Sequence, residues 1–143
     1  MNIQELLNSN EYELIICRPE DTVVTVAALL ETHNIGALPV CDRDRKLVGM
    51  ISERDIVRSV SRDAAKINDL LVKDIMTHKV LTCTLEHRVS DAMTIMNKAH
   101  IRHLPVMKDD ELLGIISSRD TISCALNAME LERNVLRDYA ITR

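Results

Sequence analysis

Trp and Phe are absent from this 143-residue chain, and Tyr occurs only twice. Proteins that grip single-stranded nucleic acid stack bases on aromatic rings, so that class is excluded first. An excess of basic residues is also missing: 18 Lys and Arg against 22 Asp and Glu leave a net charge of −4, the wrong sign for neutralising phosphates over a broad face. Nucleic acid is therefore not an expected partner. No run of eighteen apolar residues occurs, and Met1-Asn2-Ile3-Gln4-Glu5 carries neither a basic nor an apolar signal region. The expectation is a soluble, cytoplasmic protein without a membrane partner. The four Cys, at 17, 41, 83 and 124, form no C-x-x-C pair, so zinc and redox motifs are not suggested and reduced, mostly buried thiols are expected. No nucleophile–base pair, paired carboxylates or Walker-type phosphate loop is visible, so no enzyme is expected and no catalytic residue is assigned.

What is present is aliphatic. Apolar residues make up 46% of the chain, and a chain of this length buries about 68–70% of its unfolded surface. Its core must be built from Val, Ile, Leu, Met and Ala. Seven Met read as core filling.

Two stretches organise the rest: Leu47-Val48-Gly49-Met50-Ile51-Ser52-Glu53-Arg54-Asp55 and Leu112-Leu113-Gly114-Ile115-Ile116-Ser117-Ser118-Arg119-Asp120. Each reads as an apolar strand containing one Gly, then a Ser able to cap a helix, then Arg-Asp in that helix's first turn. The duplication extends outward. Cys17 and Cys83, Val23 and Val89, Leu38 and Leu104, Pro39 and Pro105, Val40 and Val106 are all offset by 66, whereas Gly49 and Gly114, Ser52 and Ser117, Asp55 and Asp120 are offset by 65. One residue is lost between Val106 and Gly114, in a turn, which is where a structural repeat tolerates change.

Within the first copy the order is a strand at 14–17, a helix to about His33 with Val23, Val26, Ala27 and Leu30 on one face, then a hairpin from Ala37-Leu38-Pro39-Val40-Cys41 to Met50-Ile51, then a helix from Ser52. Asn34 and Gly36 both suit the left-handed end of the first helix, and Pro39 implies a strand start or edge. The second copy repeats this with a strand at 80–83, a helix over about 88–97 and a hairpin from Leu104 to Ile116. A connecting segment over 64–76 holds a short helix, and residues 1–13 form a lead-in of no clear period. The expected fold is α+β, two β-α-β-β-α repeats at 10–63 and 64–127, packed sheet to sheet about a pseudo-twofold axis, with a helical extension over 128–143. In that extension Ile122, Leu126, Met129 and Leu136 keep a 4-3-4-3 spacing interrupted by Arg133. Such a stripe lies either back on its own core or against a partner, most simply a second copy.

The paired Ser-x-x-Asp has a structural use as a capping box. Capping alone does not demand Arg before each Asp. His100 and His103 sit three apart with no carboxylate cluster, and no metal is expected.

Ile35-Gly36-Ala37-Leu38-Pro39-Val40 with Gly49 to Asp55, repeated as Ile101-Arg102-His103-Leu104-Pro105-Val106 with Gly114 to Asp120, resembles the tandem cystathionine-β-synthase-type (CBS) domains of the Bateman module. Asp74-Ile75-Met76-Thr77 resembles the family's entry to its second repeat. The resemblance implies a regulator that binds adenosine-containing ligands (AMP, ADP, ATP, S-adenosylmethionine or NAD(H)) in two clefts. With the apolar stripe of the last helix, the expectation is a stand-alone module with no cofactor required, a homodimer acting on a regulated protein that the sequence does not identify; the alternative is a structural dimerisation or interaction module with no physiological ligand. It assigns the ribose to Asp55 and Asp120, hydroxyl donors to Ser52 and Ser117, and phosphate to Arg54 and Arg119. Adenine would lie against Ile15, Cys17, Ile35, Gly36, Ala37 and Pro39 in one set and Thr77, His78, Val80, Ile101, Arg102, His103 and Pro105 in the other. Each cleft draws on both repeats, so Asp55 is expected to face the second set and Asp120 the first. Arg102 and His103 replace Gly36 and Ala37 of the first copy, so the cleft bounded by Arg54, Asp55, Arg102 and His103 is expected to prefer the more highly phosphorylated ligand.

Overall fold

The computed structural model describes residues 1–9 and 13–142; the expected boundaries at residues 10 and 143 lie outside the described residues. Helix α2 (Val23–His33) starts where Thr22 Oγ1 accepts the Thr25 N–H at 3.1 Å, and it buries Val23, Val26 and Leu30. Asn34, not Gly36, takes the left-handed conformation that ends it (φ 51°), and the Ile35 N–H closes onto Leu30 O at 3.1 Å. Its counterpart α5 (Val89–Ala99) buries Val89, Ala92 and Met96 and ends the same way at His100 (φ 54°), with Ile101 N–H on Met96 O at 3.0 Å.

Strands β1 (Ala37–Cys41) and β2 (Leu47–Ser52) form one antiparallel hairpin, β3 (His103–Lys108) and β4 (Glu111–Ser117) the other. Cys41 faces Leu47 whereas Met107 faces Leu112, so the residue missing from the second copy is indeed lost in the turn. Each hairpin runs directly into a helix: α3 (Glu53–Arg62) after β2, and α6 (Ser118–Ile141) after β4. A 3₁₀ turn (Ala64–Asp69) and the short α4 (Val72–Ile75) make up the connecting segment, and α1 (Ile3–Ser9) makes up the lead-in.

The leading strands expected at 14–17 and 80–83 are reduced to one bridged residue each, Cys17 beside Val40 and Cys83 beside Val106. The cause is Pro39 and its twin. Cys17 N–H donates to Pro39 O at 3.0 Å and Cys41 N–H to Cys17 O at 2.9 Å, but the next upstream rung of a parallel ladder needs a donor at residue 39. Proline has none. Cys83, Pro105 and Met107 repeat the arrangement at 3.0 and 2.8 Å. Pro39 sits opposite Met50, whose own backbone bonds go outward to Thr77, so β2 does not require the missing N–H.

The two repeats are tied by a reciprocal exchange that sequence inspection does not reveal. The core of the first repeat, with Cys17, Val26, Leu30, Leu38, Val40 and Ile51, is completed by Val72 of α4, which precedes the second repeat. The core of the second, with Cys83, Ala92, Met96, Leu104, Val106 and Ile116, is completed by Ile3 and Leu6 of α1, which precedes the first. Backbone bonds fix both: Val72 N–H to Asp21 O at 2.8 Å, and Ile3 N–H to His87 O at 2.9 Å. Such mutual closure is what a pseudo-twofold produces. All five residues of β1 are buried, so both faces of that strand are covered. At the far end the hairpin turns Asp44-Arg45-Lys46 and Lys108 to Glu111 line one shallow cleft of about 440 Å³. The chain is α+β with two similar repeats.

Three thiols are buried as expected, and burial holds two of them far above the ordinary thiol range, Cys17 at about 12 and Cys83 at about 11. Cys124 is half-buried. Among the described residues no helix is long and apolar enough to cross a membrane, and no three His, Cys, Asp or Glu cluster as metal ligands.

Candidate functional site

The repeated Ser-x-x-Asp forms a complete capping box in each copy. Asp55 Oδ2 accepts the Ser52 N–H at 2.9 Å and the Ser52 hydroxyl at 3.1 Å, while the Asp55 N–H points back at Ser52 Oγ, 3.4 Å away. In the second copy Asp120 Oδ2 accepts the Ser117 N–H at 2.8 Å and the Asp120 N–H donates to Ser117 Oγ at 3.2 Å. One consequence is positional. With the carboxylates locked by the caps, Arg54 and Arg119 are left exposed on the first turn of each helix.

A second tie draws each helix start to the mouth of its own hairpin: Glu53 N–H donates to Gly36 O at 3.0 Å, and Ser118 N–H to Arg102 O at 2.8 Å. The two mouths then meet. A Cβ added to Gly36 would stand 3.1 Å from His103 Cε1 and 3.6 Å from Glu53 Oε2, so glycine here makes room for the imidazole of the other repeat. Burial pulls the His103 pKa below 6.5; Asp120 and Glu53 oppose that shift and Arg102 adds to it. The buried setting thus favours the uncharged ring.

Beside this junction lies a groove of about 630 Å³ between α5 and α6. Arg54 of the first repeat and Arg102 of the second line it together, with His100, Thr94 and Asn97, over a floor that includes Met93, Met96, Ile101 and Ile122. Among the described residues no carboxylate lines it. The single ion pair found among the described residues, Lys66 to Asp63 at 3.8 Å, lies elsewhere, so neither arginine is neutralised by a salt bridge. An apolar floor with two guanidinium groups and a neighbouring helix start suits an anion carrying a flat or aliphatic part.

The anticipated residues fall into separate groups. Arg54, Ile101 and Arg102 share the groove, and Gly36, His103 and Asp120 share the junction. Arg54 thus stands beside Ile101 and Arg102 of the opposite repeat, while Asp120 acts on His103 of its own repeat. Ser52, Asp55 and Ser117 are half-buried in their caps, and Arg119 is exposed outside the groove lining. Thr77 exchanges two backbone bonds with Met50, 2.8 and 3.0 Å, placing it and exposed His78 along the edge of β2; Val80 is half-buried. Ile15 and Ile35 pack on the first core, and Cys17, Ala37, Pro39 and Pro105 are buried, so a ligand would meet these last four through backbone. Glu53, Thr94 and Asn97 were not anticipated. Glu53 stands inside the repeated motif, where its replacement by Ser118 in the second copy marks a difference between the two mouths.

The chain matches the CBS domain family twice, over residues 5–62 and 72–127. It is 34% identical over 127 residues to the mitochondrial CBS domain-containing protein CBSX3 of Arabidopsis thaliana, an alignment that covers 86% of this chain and 62% of that protein. Its fold superposes on a CBS domain pair solved with 5′-methylthioadenosine and S-adenosyl-L-methionine, with a TM-score of 0.78, 27% identity and coverage of 90% of this chain and 98% of the other. CBSX2 in complex with AMP gives a TM-score of 0.70 at 26% identity, covering 82% of this chain and 90% of that one.

Proposed function

The chain belongs to the CBS-domain family, and we propose that it is a regulatory module that binds an adenosine-containing ligand between its repeats and signals through conformation or assembly. The observation that carries this reading is the groove in which Arg54 and Arg102, one from each repeat, stand over methionine and isoleucine side chains with no carboxylate among the described lining residues. Phosphates would sit on the guanidinium groups and adenine on the aliphatic floor. The carboxylates of Asp55 and Asp120, held in their caps at the two helix starts and not in the groove lining, would accept ribose hydroxyls from a ligand that extends past the arginines, since a carboxylate offers about four lone-pair sites. Hydrogen bonds to charged groups contribute roughly 1.5–3 kcal/mol each, and three of them approach the ~8 kcal/mol of a micromolar complex.

Occupancy would act on the whole fold because the groove spans both repeats. A ligand that holds Arg54 and Arg102 together favours one packing of the repeats over others, and a regulated protein, or the second chain of a homodimer, reads that packing. AMP, ADP and ATP are the ligands that best use two arginines; S-adenosylmethionine and NAD(H) fit the adenosine part equally. No cofactor or metal is needed for this role, and its setting is cytoplasmic.

One observation favours a second reading, a structural interaction module without a ligand: both aspartates already serve as caps. Mass spectrometry of the small molecules released when purified protein is denatured separates the two. An adenosine derivative in amounts approaching one per chain supports the sensor, and its absence, together with no thermal shift on adding AMP, ATP, NADH or S-adenosylmethionine, supports the structural module.

A further inference from the structure

Helix α6 runs for 24 residues, Ser118–Ile141, about 36 Å at 1.5 Å per residue. Its first turns stand against α5 and β4, but every described residue from Leu126 onward is exposed. A helix without tertiary packing is marginal in water, and this one leaves apolar side chains open: Ile122 is 51% exposed, Leu126 56%, Met129 67% and Leu136 63%. These four, with Arg133 and Ala140, recur at alternating steps of four and three over 122–140. That is the spacing of a two-stranded coiled-coil seam, with Leu126, Arg133 and Ala140 at one core position and Ile122, Met129 and Leu136 at the other.

We propose that the seam of α6 pairs in parallel with α6 of a second copy of this chain. Charge selects both the occupant and the orientation. In a parallel pair the flanking residue Glu132 meets Arg137 of the other helix, and symmetry makes that contact twice. The same Glu132 borders Arg133, the polar residue in the seam, and so offsets the placing of two arginines opposite each other; a single polar core residue is also a known means of fixing register. Turned antiparallel with all six seam positions still paired, Glu132 faces Glu132 and Glu130 faces Glu130. Leu131 and Val135 lie off the seam and are not covered by it.

Ile122 also lines the groove, so the seam clear of it is carried by Leu126, Met129 and Leu136, and the pairing is tested on the full chain by size-exclusion chromatography with light scattering. The wild type is expected at the mass of two chains, and Leu126→Glu/Leu136→Glu at the mass of one with the thermal transition of the body retained. Leu131→Glu, off the seam, is expected to keep the two-chain mass. Glu132→Arg and Arg137→Glu should each weaken association by up to about fivefold per pair, and the double reversal should restore it. Leu136→Cys should cross-link on oxidation, because like positions face each other only in the parallel arrangement. A one-chain wild type overturns the proposal, as does a dimer that survives Leu126→Glu/Leu136→Glu, or one in which Leu136→Cys stays uncrosslinked while dimeric.

Discussion

Gly49 and Gly114 occupy equivalent positions in the two central strands, yet they should respond differently to alanine. Neither has a positive φ, so an alanine methyl is compatible with both backbones and reduces unfolded-chain freedom, a gain of about 0.4–1 kcal/mol. Packing decides the sign. At Gly49 the new Cβ would stand 2.7 Å from Met76 Sδ and 3.0 Å from the backbone oxygen of Thr77. The sulfur can swing away, but Thr77 is held by its two bonds to Met50 and cannot yield without breaking them. Overpacking of this kind costs about 1–3 kcal/mol, so the net effect of Gly49→Ala is a loss of roughly 1–2 kcal/mol. At Gly114 the nearest atom is Leu7 Cδ2 at 3.2 Å, the end of a flexible side chain on α1, and the two effects there should cancel to within about 0.5 kcal/mol. Urea unfolding followed by far-UV circular dichroism measures both. Equal losses at the two glycines would refute the argument, because they would mean that the connecting segment does not hold Thr77 against β2.

Two predictions concern titration. Burial raises the thiol pKa values of Cys17 to about 12 and Cys83 to about 11, and raises Cys41 as well. The folded protein keeps protons that the unfolded chain gives up above about pH 9, so stability should be full below that point and fall as pH rises toward 11 and 12. Urea midpoints at about pH 8 and about pH 10.5 test the sign, and iodoacetamide should modify Cys124 alone in native protein; rapid labelling of three or four thiols would contradict the burial. His103 shifts the other way. Its pKa lies below 6.5, so its contribution to stability is present above that value and is lost as pH falls through the folded value. The imidazole resonance should titrate with a midpoint below 6.5, and Glu53→Gln should lower it further, since Glu53 supports the charged form; a midpoint above 6.5 would show that the carboxylates and not burial set it.

Much of this was readable in residue order. The offsets of 66 and 65 reappear as matched pairs of bonds, from the Asn34 and His100 helix ends to the two capping boxes, because repeated side chains solve the same local problems twice. What escaped reading was governed by partners distant in sequence. The leading strands failed to extend because Pro39 and Pro105, on neighbouring strands, lack the needed donor. The exchange of α1 and α4 between cores left no periodic signal, each helix being too short to show one, and the lead-in that carries no pattern supplies Ile3 and Leu6 to the second core. For the candidate site, the arginines that share the groove were both recognised. The insertion of His103 beside Gly36 was not: glycine opposite histidine is a pairing between repeats, and neither residue announces the other.

The capping boxes bear on function in a specific way. Asp55 and Asp120 are needed for their helices whether or not a ligand binds, and removing a capping side chain costs about 0.5–2 kcal/mol. Loss of binding in an aspartate variant is therefore ambiguous, whereas Arg54 and Arg102 are exposed, make no salt bridge among the described residues and serve no cap. They are the cleaner probes. Isothermal titration of ATP and AMP into the wild type, Arg54→Ala and Arg102→Ala tests the sensor directly. The account predicts that each arginine variant keeps its unfolding midpoint while ATP binding weakens about tenfold or more, with AMP affected less; ATP affinity unchanged in both variants, or no heat with either nucleotide in the wild type, would contradict it.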